Sequence, residues 1–247
     1  MNQLSLSGKV ALITGAGSGL GEATALAFAR AGAAVACVDI HSAAAARTAA
    51  TIVALGGSAE AYTCNVADAA AVFASIDAAV TRFGRLDVVV NCAAVDFVVA
   101  VDEMSVEQWD RVLAVNLRGP FLVAKAALPT MKRQQAGHIV NIASTAAVRA
   151  WGNAAAYHAS KWGLIGFGRG LGVEGRSDNI RITTVIPGGM RTHWFDKFPE
   201  QGIPLPDEQH LQDPANVADA IVFAVTMPPQ SVIQELMVTP LTETSWP

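Results

Sequence analysis

Tyr157 and Lys161 stand four residues apart in STAAVRAWGNAAAYHASK, the stretch from Ser144 to Lys161. In a helix that separation puts both side chains on one face. A free phenol ionises near pH ~10 and is a poor base at neutral pH. An ammonium fixed beside it favours the phenolate, and each unit of lowering corresponds to about 1.4 kcal/mol. The expectation is that Lys161 lowers the Tyr157 pKa until the phenol exchanges a proton near pH 7, as alcohol–carbonyl interconversion requires. Ser144 ends the β-type run HIVNIAS, and its hydroxyl can hydrogen-bond a substrate oxygen. A Tyr-x-x-x-Lys pair also arises by chance on surfaces, so the assignment depends on its neighbours.

One neighbour is the glycine cluster Thr14-Gly15-Ala16-Gly17-Ser18-Gly19-Leu20-Gly21, between an apolar run and an alanine-rich helical segment. Glycines let a backbone approach a pyrophosphate closely, and a helix N-terminus adds free N–H groups. The spacing is Gly15-x-x-x-Gly19-x-Gly21, since Leu20 breaks the G-x-G-x-x-G pattern. Asp39 follows Gly21 by eighteen residues, at the end of the next apolar run. A carboxylate there accepts both hydroxyls of an adenosine ribose and repels a 2′-phosphate. No Lys or Arg occupies 16–20 or 40–42, so NAD(H) is expected over NADP(H).

These residues need a scaffold, and the chain reads as one. Apolar strand-like runs at 9–14, 33–39, 58–65, 86–91, 138–144, 179–187 and 231–238 alternate with helical stretches. The helices are expected at 19–31, 42–55, 67–84, 105–135, 154–175 and 214–227. Such alternation with short links implies an α/β fold: a doubly wound, mostly parallel seven-stranded sheet with helices on both faces. Ligands then sit at the carboxyl ends of the strands. Residues 190–213 interrupt the rhythm and are a candidate substrate lid within one domain spanning 1–247.

Composition narrows the function. Hydrophobic residues make up 52% and charged residues 15% of 247, as a doubly covered sheet requires. The net charge of −4 argues against nucleic acid or an anionic membrane as partner. No apolar stretch reads as long and uninterrupted enough to span a bilayer. The start MNQLSLSGKVALIT lacks a charged segment before a long apolar run, so no signal peptide and a cytoplasmic location are expected. Cys37, Cys64 and Cys92 read as buried free thiols, and no Cys/His cluster has metal-ligand spacing.

Together these motifs resemble the short-chain dehydrogenase/reductase family in its classical form, from about Gly8 to Met237. TGAGSGLG resembles the family's glycine motif, and Asn116, Ser144, Tyr157 and Lys161 its catalytic tetrad. The resemblance implies a Rossmann-type fold and an NAD-dependent oxidoreductase. It makes Tyr157 the general acid/base and Lys161 the group that tunes it and holds the nicotinamide ribose. Ser144 would polarise the substrate oxygen, and Asn116 would support a water-mediated proton relay. Pro120 fits that last role, because it has no N–H for the carbonyl of Asn116. The implied cofactor contacts are Gly15, Gly17, Ser18, Gly19, Leu20 and Gly21, then Asp39, Ile40, Asn65 and Val66. Asn91, Ala93, Pro187, Gly188 and Thr192 complete them. Three departures stand out. Asn91-Cys92-Ala93-Ala94 replaces Asn-Asn-Ala-Gly, Asn65 replaces an aspartate, and the C-terminus lacks the common Asp-Gly-Gly ending.

Trp151, Trp194 and Phe195 join Ser144 and Tyr157 as expected substrate contacts, with Met190, Phe198, Val95 and Phe97 as further candidates for the cleft. His158 and His193 read either as polar groups of the cleft or as exposed surface residues, and Arg191 as a solvated loop charge in preference to a contact for an anionic substrate. Such a pocket suits a largely apolar small-molecule alcohol or ketone. Glycines 163, 166, 168, 170, 172 and 175 fall on one helix, where they admit close approach of another helix; the family resemblance implies that this helix packs against its symmetry mate in a homodimer or homotetramer. A non-catalytic NAD-sensing protein would show a degraded tetrad, and this one is whole. An extended-type epimerase needs more chain after 187. An NADPH-dependent 3-oxoacyl-carrier-protein reductase is the nearer rival, opposed by Asp39 and by the lack of a basic residue at 18.

Overall fold

The computed structural model describes residues 4–196, 198–199 and 205–243. Seven parallel strands form one sheet in the order β3-β2-β1-β4-β5-β6-β7. They are β1 (Val10–Thr14), β2 (Ala34–Asp39), β3 (Ser58–Thr63), β4 (Val88–Asn91), β5 (Gly137–Ile142), β6 (Ile180–Pro187) and β7 (Glu235–Val238). The helices are α1 (Gly19–Arg30), α2 (Ser42–Ala54), α3 (Ala69–Phe83), α4 (Val106–Leu113), α5 (Gly119–Gln134), α6 (Ala155–Glu174) and α7 (Pro214–Val225).

The strand residues divide between two cores with period two. Ala11 and Ile13 of β1 and Val88 and Val90 of β4 face Phe28, Ile52 and Ile221 of α1, α2 and α7. Val10, Leu12 and Val89 face Val72, Ile76, Leu122 and Leu171 of α3, α5 and α6. The sheet is thus covered on both faces, as the apolar strand runs predict. Strand order reverses between β1 and β4, which opens a crevice at their carboxyl ends.

Two segments differ from the sequence reading. The helix expected over 105–135 changes register in the middle, where Ala114–Arg118 form a π-helical segment. There the N–H of Gly119 bonds to the carbonyl of Ala114, five residues back. The extra residue falls just before Pro120, which cannot donate at all. By length and composition Val106–Gln134 could cross a membrane, yet it packs into the core, its residues lying against α3, α6 and the sheet. The last strand starts at Glu235 instead of 231. Ser231 and Ile233 give their carbonyls to Arg181 Nη1 (3.3 Å) and Thr183 Oγ1 (2.7 Å), so no ladder extends there. Of the expected lid at 190–213, residues 197 and 200–204 lie outside the described residues.

Candidate active site

The turn after β1 is built around two glycines that nothing larger replaces. Gly15 has φ +69°, and a Cβ on Gly21 would collide with the backbone carbonyl of Gly15. Asp39, 9% exposed, faces this turn from the end of β2. Its Oδ2 accepts from the N–H of Gly17 and its Oδ1 from that of His41, each at 2.9 Å. Thr14 Oγ1 accepts from the N–H groups of Cys92 (3.1 Å) and Ala93 (3.2 Å), tying the loop after β4 to the end of β1.

Tyr157 and Lys161 occupy the first turns of α6, on one face. Lys161 is 2% exposed; its Nζ donates to the carbonyl of Ile142 at 2.8 Å and lies 5.4 Å from the centre of the Tyr157 ring. Ser144 Oγ accepts from the N–H of Ala146 at 3.1 Å, opening the short turn 145–147, and its hydroxyl acts on the Tyr157 phenol to lower its pKa.

The electrostatics correct the sequence expectation. Loss of water raises the Tyr157 pKa above its ordinary value, with Asp96 and Cys92 adding to the rise and only the Ser144 hydrogen bond opposing it. Burial likewise lowers Lys161 to about 8, against the pull of Cys92 and Asp96. Desolvation is the largest influence on both groups, so the protein atoms alone hold the pair closer to neutral than the spacing implies.

Asn116 lies in the π segment, and its side chain works as a clamp. Nδ2 donates to the carbonyl of Val95 (2.8 Å) and to Ser160 Oγ (3.2 Å), while Oδ1 accepts from the N–H of Val95 (2.8 Å). Ser160 Oγ in turn donates to the carbonyl of Tyr157 at 2.8 Å. The loop after β4 and the start of α6 are thereby fastened to one residue.

A cleft of about 600 Å³ joins these parts. Its walls include Gly15, Ser18, Gly19, Leu20 and Gly21 of the first turn, and Asp39 and Ile40 after it. Asn65, Val66 and Ala93 lie further along, then Ser144, Tyr157 and Lys161, and finally Pro187, Gly188 and Thr192. Trp151, Trp194, Phe195, Met190 and Val95 also border it, and the Trp194 ring centre stands 5.5 Å from that of Tyr157. Gly17, Asn91, Asn116, Phe97 and Phe198 lie off its walls. Gly17 holds Asp39, and Asn91 Nδ2 donates to Asn141 Oδ1 at 2.9 Å beneath the floor. Phe198 packs edge-on to Phe195 instead.

A family model described as short chain dehydrogenase matches residues 9–202. The chain belongs to the short-chain dehydrogenase family. Among curated members, the D-threitol dehydrogenase of Mycolicibacterium smegmatis is 42% identical over 74% of this chain and 70% of its own length. The 3-oxoacyl-acyl-carrier-protein reductase FabG of Thermotoga maritima is 36% identical over 88% and 90%. The cyclohexanol dehydrogenase of an Acinetobacter species is 37% identical over 88% of each. A solved metagenomic short-chain oxidoreductase in complex with NADP superposes with a TM-score of 0.84 at 32% identity, covering 96% of this chain and 99% of its own. This short-chain dehydrogenase is therefore a nicotinamide-dependent oxidoreductase acting at an alcohol or carbonyl centre.

The sequence reading missed several groups of the dehydrogenase's cleft. Arg149 and Glu243 border it and form an ion pair of 2.9 Å. Arg149 lies five residues after Ser144 and was within reach of inspection; Glu243 arrives from the C-terminal tail, for which no motif exists. Asp96 sits beside the tetrad, its carboxyl pushed up to about 6 by burial. Arg191 and His193 are exposed, as a surface role requires, though each has a partner, and His158 is half-buried. His158 Nδ1 pairs with the carbonyl of Ala146 (2.8 Å), while its Nε2 accepts from the N–H of Trp151 (3.1 Å). Arg191 Nη1 donates to the carbonyl of Leu211 (3.0 Å), and His193 pairs with Asp196 (2.8 Å).

Proposed function

We propose that this dehydrogenase interconverts a secondary alcohol and its ketone with NAD(H). The observation that carries the cofactor choice is Asp39, fixed by two backbone N–H groups at the glycine turn and bordering the cleft that holds Tyr157. Each carboxylate oxygen keeps a lone pair for a ribose hydroxyl, and its charge disfavours a 2′-phosphate. The tight glycine turn suits the phosphates of a dinucleotide, since a Cβ at Gly21 would strike the Gly15 carbonyl and one at Gly15 the backbone of Ala93, so neither position admits a side chain. Gly17, Ser18, Gly19 and Leu20 would face its phosphates, with Ile40, Asn65 and Val66 around the adenine. Ala93, Pro187, Gly188 and Thr192 would frame the nicotinamide end, with Asn91 supporting the floor beneath them. When bound, the nicotinamide supplies a carbon that accepts or donates hydride.

The chain's own groups do the rest. Ser144 orients the reacting oxygen, and Tyr157 takes or returns its proton. Lys161 anchors the nicotinamide ribose and stabilises the phenolate once formed. Asn116 holds the loop after β4 against α6 and offers its carbonyl, beyond the reach of Pro120, to a water in a proton relay. Trp151, Trp194 and Phe195 give the substrate an apolar flank. The segment 190–213 serves as lid of a single domain. A homodimer or homotetramer forms through α5 and α6, and the free thiols of Cys37, Cys64 and Cys92 suit the cytoplasm.

The test is a panel of secondary alcohols and ketones assayed with NAD(H) and NADP(H), following absorbance of the reduced nicotinamide. Turnover at least about tenfold more efficient with NAD(H) is expected; equal or reversed preference removes Asp39 as the reader of the ribose.

A further inference from the structure

Arg149 and Glu243 put a partly buried ion pair into the wall of the substrate cleft. Nη1 and Oε1 are 2.9 Å apart, and the side chains are 19% and 14% exposed. Arg149 is held in place by its own N–H, which donates to the carbonyl of Thr145 at 2.9 Å, within the turn that Ser144 opens. Glu243 lies on the tail after β7. That tail is fastened to the base of the 190–213 segment, where Gln212 Nε2 donates to the carbonyl of Val238 at 2.8 Å and Thr242 Oγ1 to that of Gln209. The second carboxylate oxygen, Oε2, rests against Gly188, where a Cβ would collide with it.

Among the described residues, Oε2 is buried with no hydrogen-bond partner. A buried carboxylate oxygen without a donor is costly, and a donor from the contents of the cleft relieves that cost. Its partner oxygen is already held by Arg149, so the pair as a whole carries no net charge toward the cleft. An anionic substrate would have to compete with the Glu243 carboxylate for the guanidinium. A neutral group with an O–H has only to donate.

We infer that Glu243, steadied by Arg149, is a second polar subsite, and that the substrate is a small vicinal diol or polyol. One carbinol oxygen lies at Ser144 and Tyr157, and the adjoining hydroxyl donates to Glu243 Oε2. This rests on the alcohol-oxidising reading above and narrows it. In the oxidation the carbinol C–H bond breaks with its electron pair passing to the nicotinamide, and the O–H proton passes to Tyr157. The product is an α-hydroxyketone whose second hydroxyl is unchanged.

The experiment compares butane-2,3-diol, butan-2-ol and 3-hydroxybutanoate on the full-length protein with NAD+. Turnover is measured alongside saturation-transfer NMR of each compound, which reports binding without chemistry. The wild type is expected to favour the diol over butan-2-ol by at least about tenfold in kcat/KM. Glu243→Ala is expected to erase most of that ratio. Glu243→Gln, whose amide oxygen still accepts, keeps more of it, and circular dichroism establishes that both variants fold. A diol-to-butan-2-ol ratio that Glu243→Ala leaves unchanged overturns the proposal and makes the pair a latch for the tail. Preference for 3-hydroxybutanoate overturns it in favour of Arg149 as an anion receptor. If nothing is turned over, the NMR decides. Diol saturation lost in Glu243→Ala upholds the subsite while the dehydrogenase reading fails; equal saturation of diol and butan-2-ol overturns the subsite.

Discussion

Lys161 Nζ lies 5.4 Å from the centre of the Tyr157 ring and donates to the carbonyl of Ile142 at 2.8 Å. The cation is therefore near enough to stabilise a phenolate, but its own burial has already lowered it to about 8. A third charge acts on both groups. Asp96 raises Tyr157 and Lys161 alike, because a carboxylate disfavours the phenolate and favours the ammonium. Burial holds Asp96 itself at about 6, against the lowering effect of the Phe97 N–H, His158 and Lys161.

Asp96→Asn is accordingly expected to lower the Tyr157 pKa. The rising limb of the kcat/KM profile for alcohol oxidation should move to lower pH. Because Asp96 is charged only above about 6, the two profiles should separate above that pH and converge below it. Superimposable profiles would show that its charge does not reach the phenol. Stability gives an independent check. An acid whose folded pKa is raised stabilises the fold below its unfolded value, and that contribution is lost as pH rises through about 6. The Asn variant should thus be the more stable at pH 8, by on the order of 1–3 kcal/mol, and show no such gain near pH 3.5 in urea titrations.

Tyr157→Phe removes the proton carrier while keeping the ring that stacks near Trp194. The expected loss in kcat is about 10²–10⁴-fold, the usual contribution of a general acid/base. NADH affinity, followed by fluorescence titration, should change less than about threefold, since the glycine turn and Asp39 are untouched. Near-normal turnover in this variant would sink the proposed chemistry.

Asp39→Ala deletes the acceptor of two backbone N–H groups as well as the proposed ribose ligand. The ratio of kcat/KM with NAD+ to that with NADP+ should fall at least about tenfold. Leaving the two donors without their acceptor should cost about 1–3 kcal/mol, visible in thermal melts. Unchanged cofactor selectivity would mean that another group reads the ribose.

The sheet and most helix boundaries were legible because apolar runs such as VALIT and VVVN are buried on both faces, and Asp213-Pro214 marks a helix start in residue type alone. That Ser144, Tyr157 and Lys161 would meet was legible because they lie within one short stretch of the chain, and all three border the cleft. What escaped was whatever depends on distant segments meeting. The side chain of Asn116 clamps Val95 and Ser160, contacts of 21 and 44 residues' separation that no periodicity reveals. The π segment follows from register, which composition does not encode. The lowered phenol pKa expected from the Tyr–Lys spacing failed because desolvation depends on the whole surrounding cleft.

The glycines of α6 separate into two sets with different consequences. Gly163, Gly168 and Gly172 face inward, where added Cβ atoms would meet Leu117, Thr184 and Ile182. Close packing within the chain accounts for Gly163 and Gly168, where an added Cβ would crowd its neighbour at 2.9 and 2.5 Å, whereas at Gly172 it would sit in ordinary contact at 3.8 Å. Gly166 and Gly170 face open space, on the same side of the helix as Trp162 and Val173, which are 56% and 61% exposed. Each interior glycine costs about 0.5–1 kcal/mol relative to alanine, and nothing inside the chain offsets these two. An isologous contact through this stripe and Phe121 of α5 would. Light scattering at micromolar concentration should give a mass at least twice 25.7 kDa for the wild type. Gly166→Leu, which fits the monomer without a clash, should shift the population to single chains while leaving the circular dichroism spectrum unchanged. A monomeric wild type, or a Gly166→Leu variant that still associates, would rule out α6 as the contact.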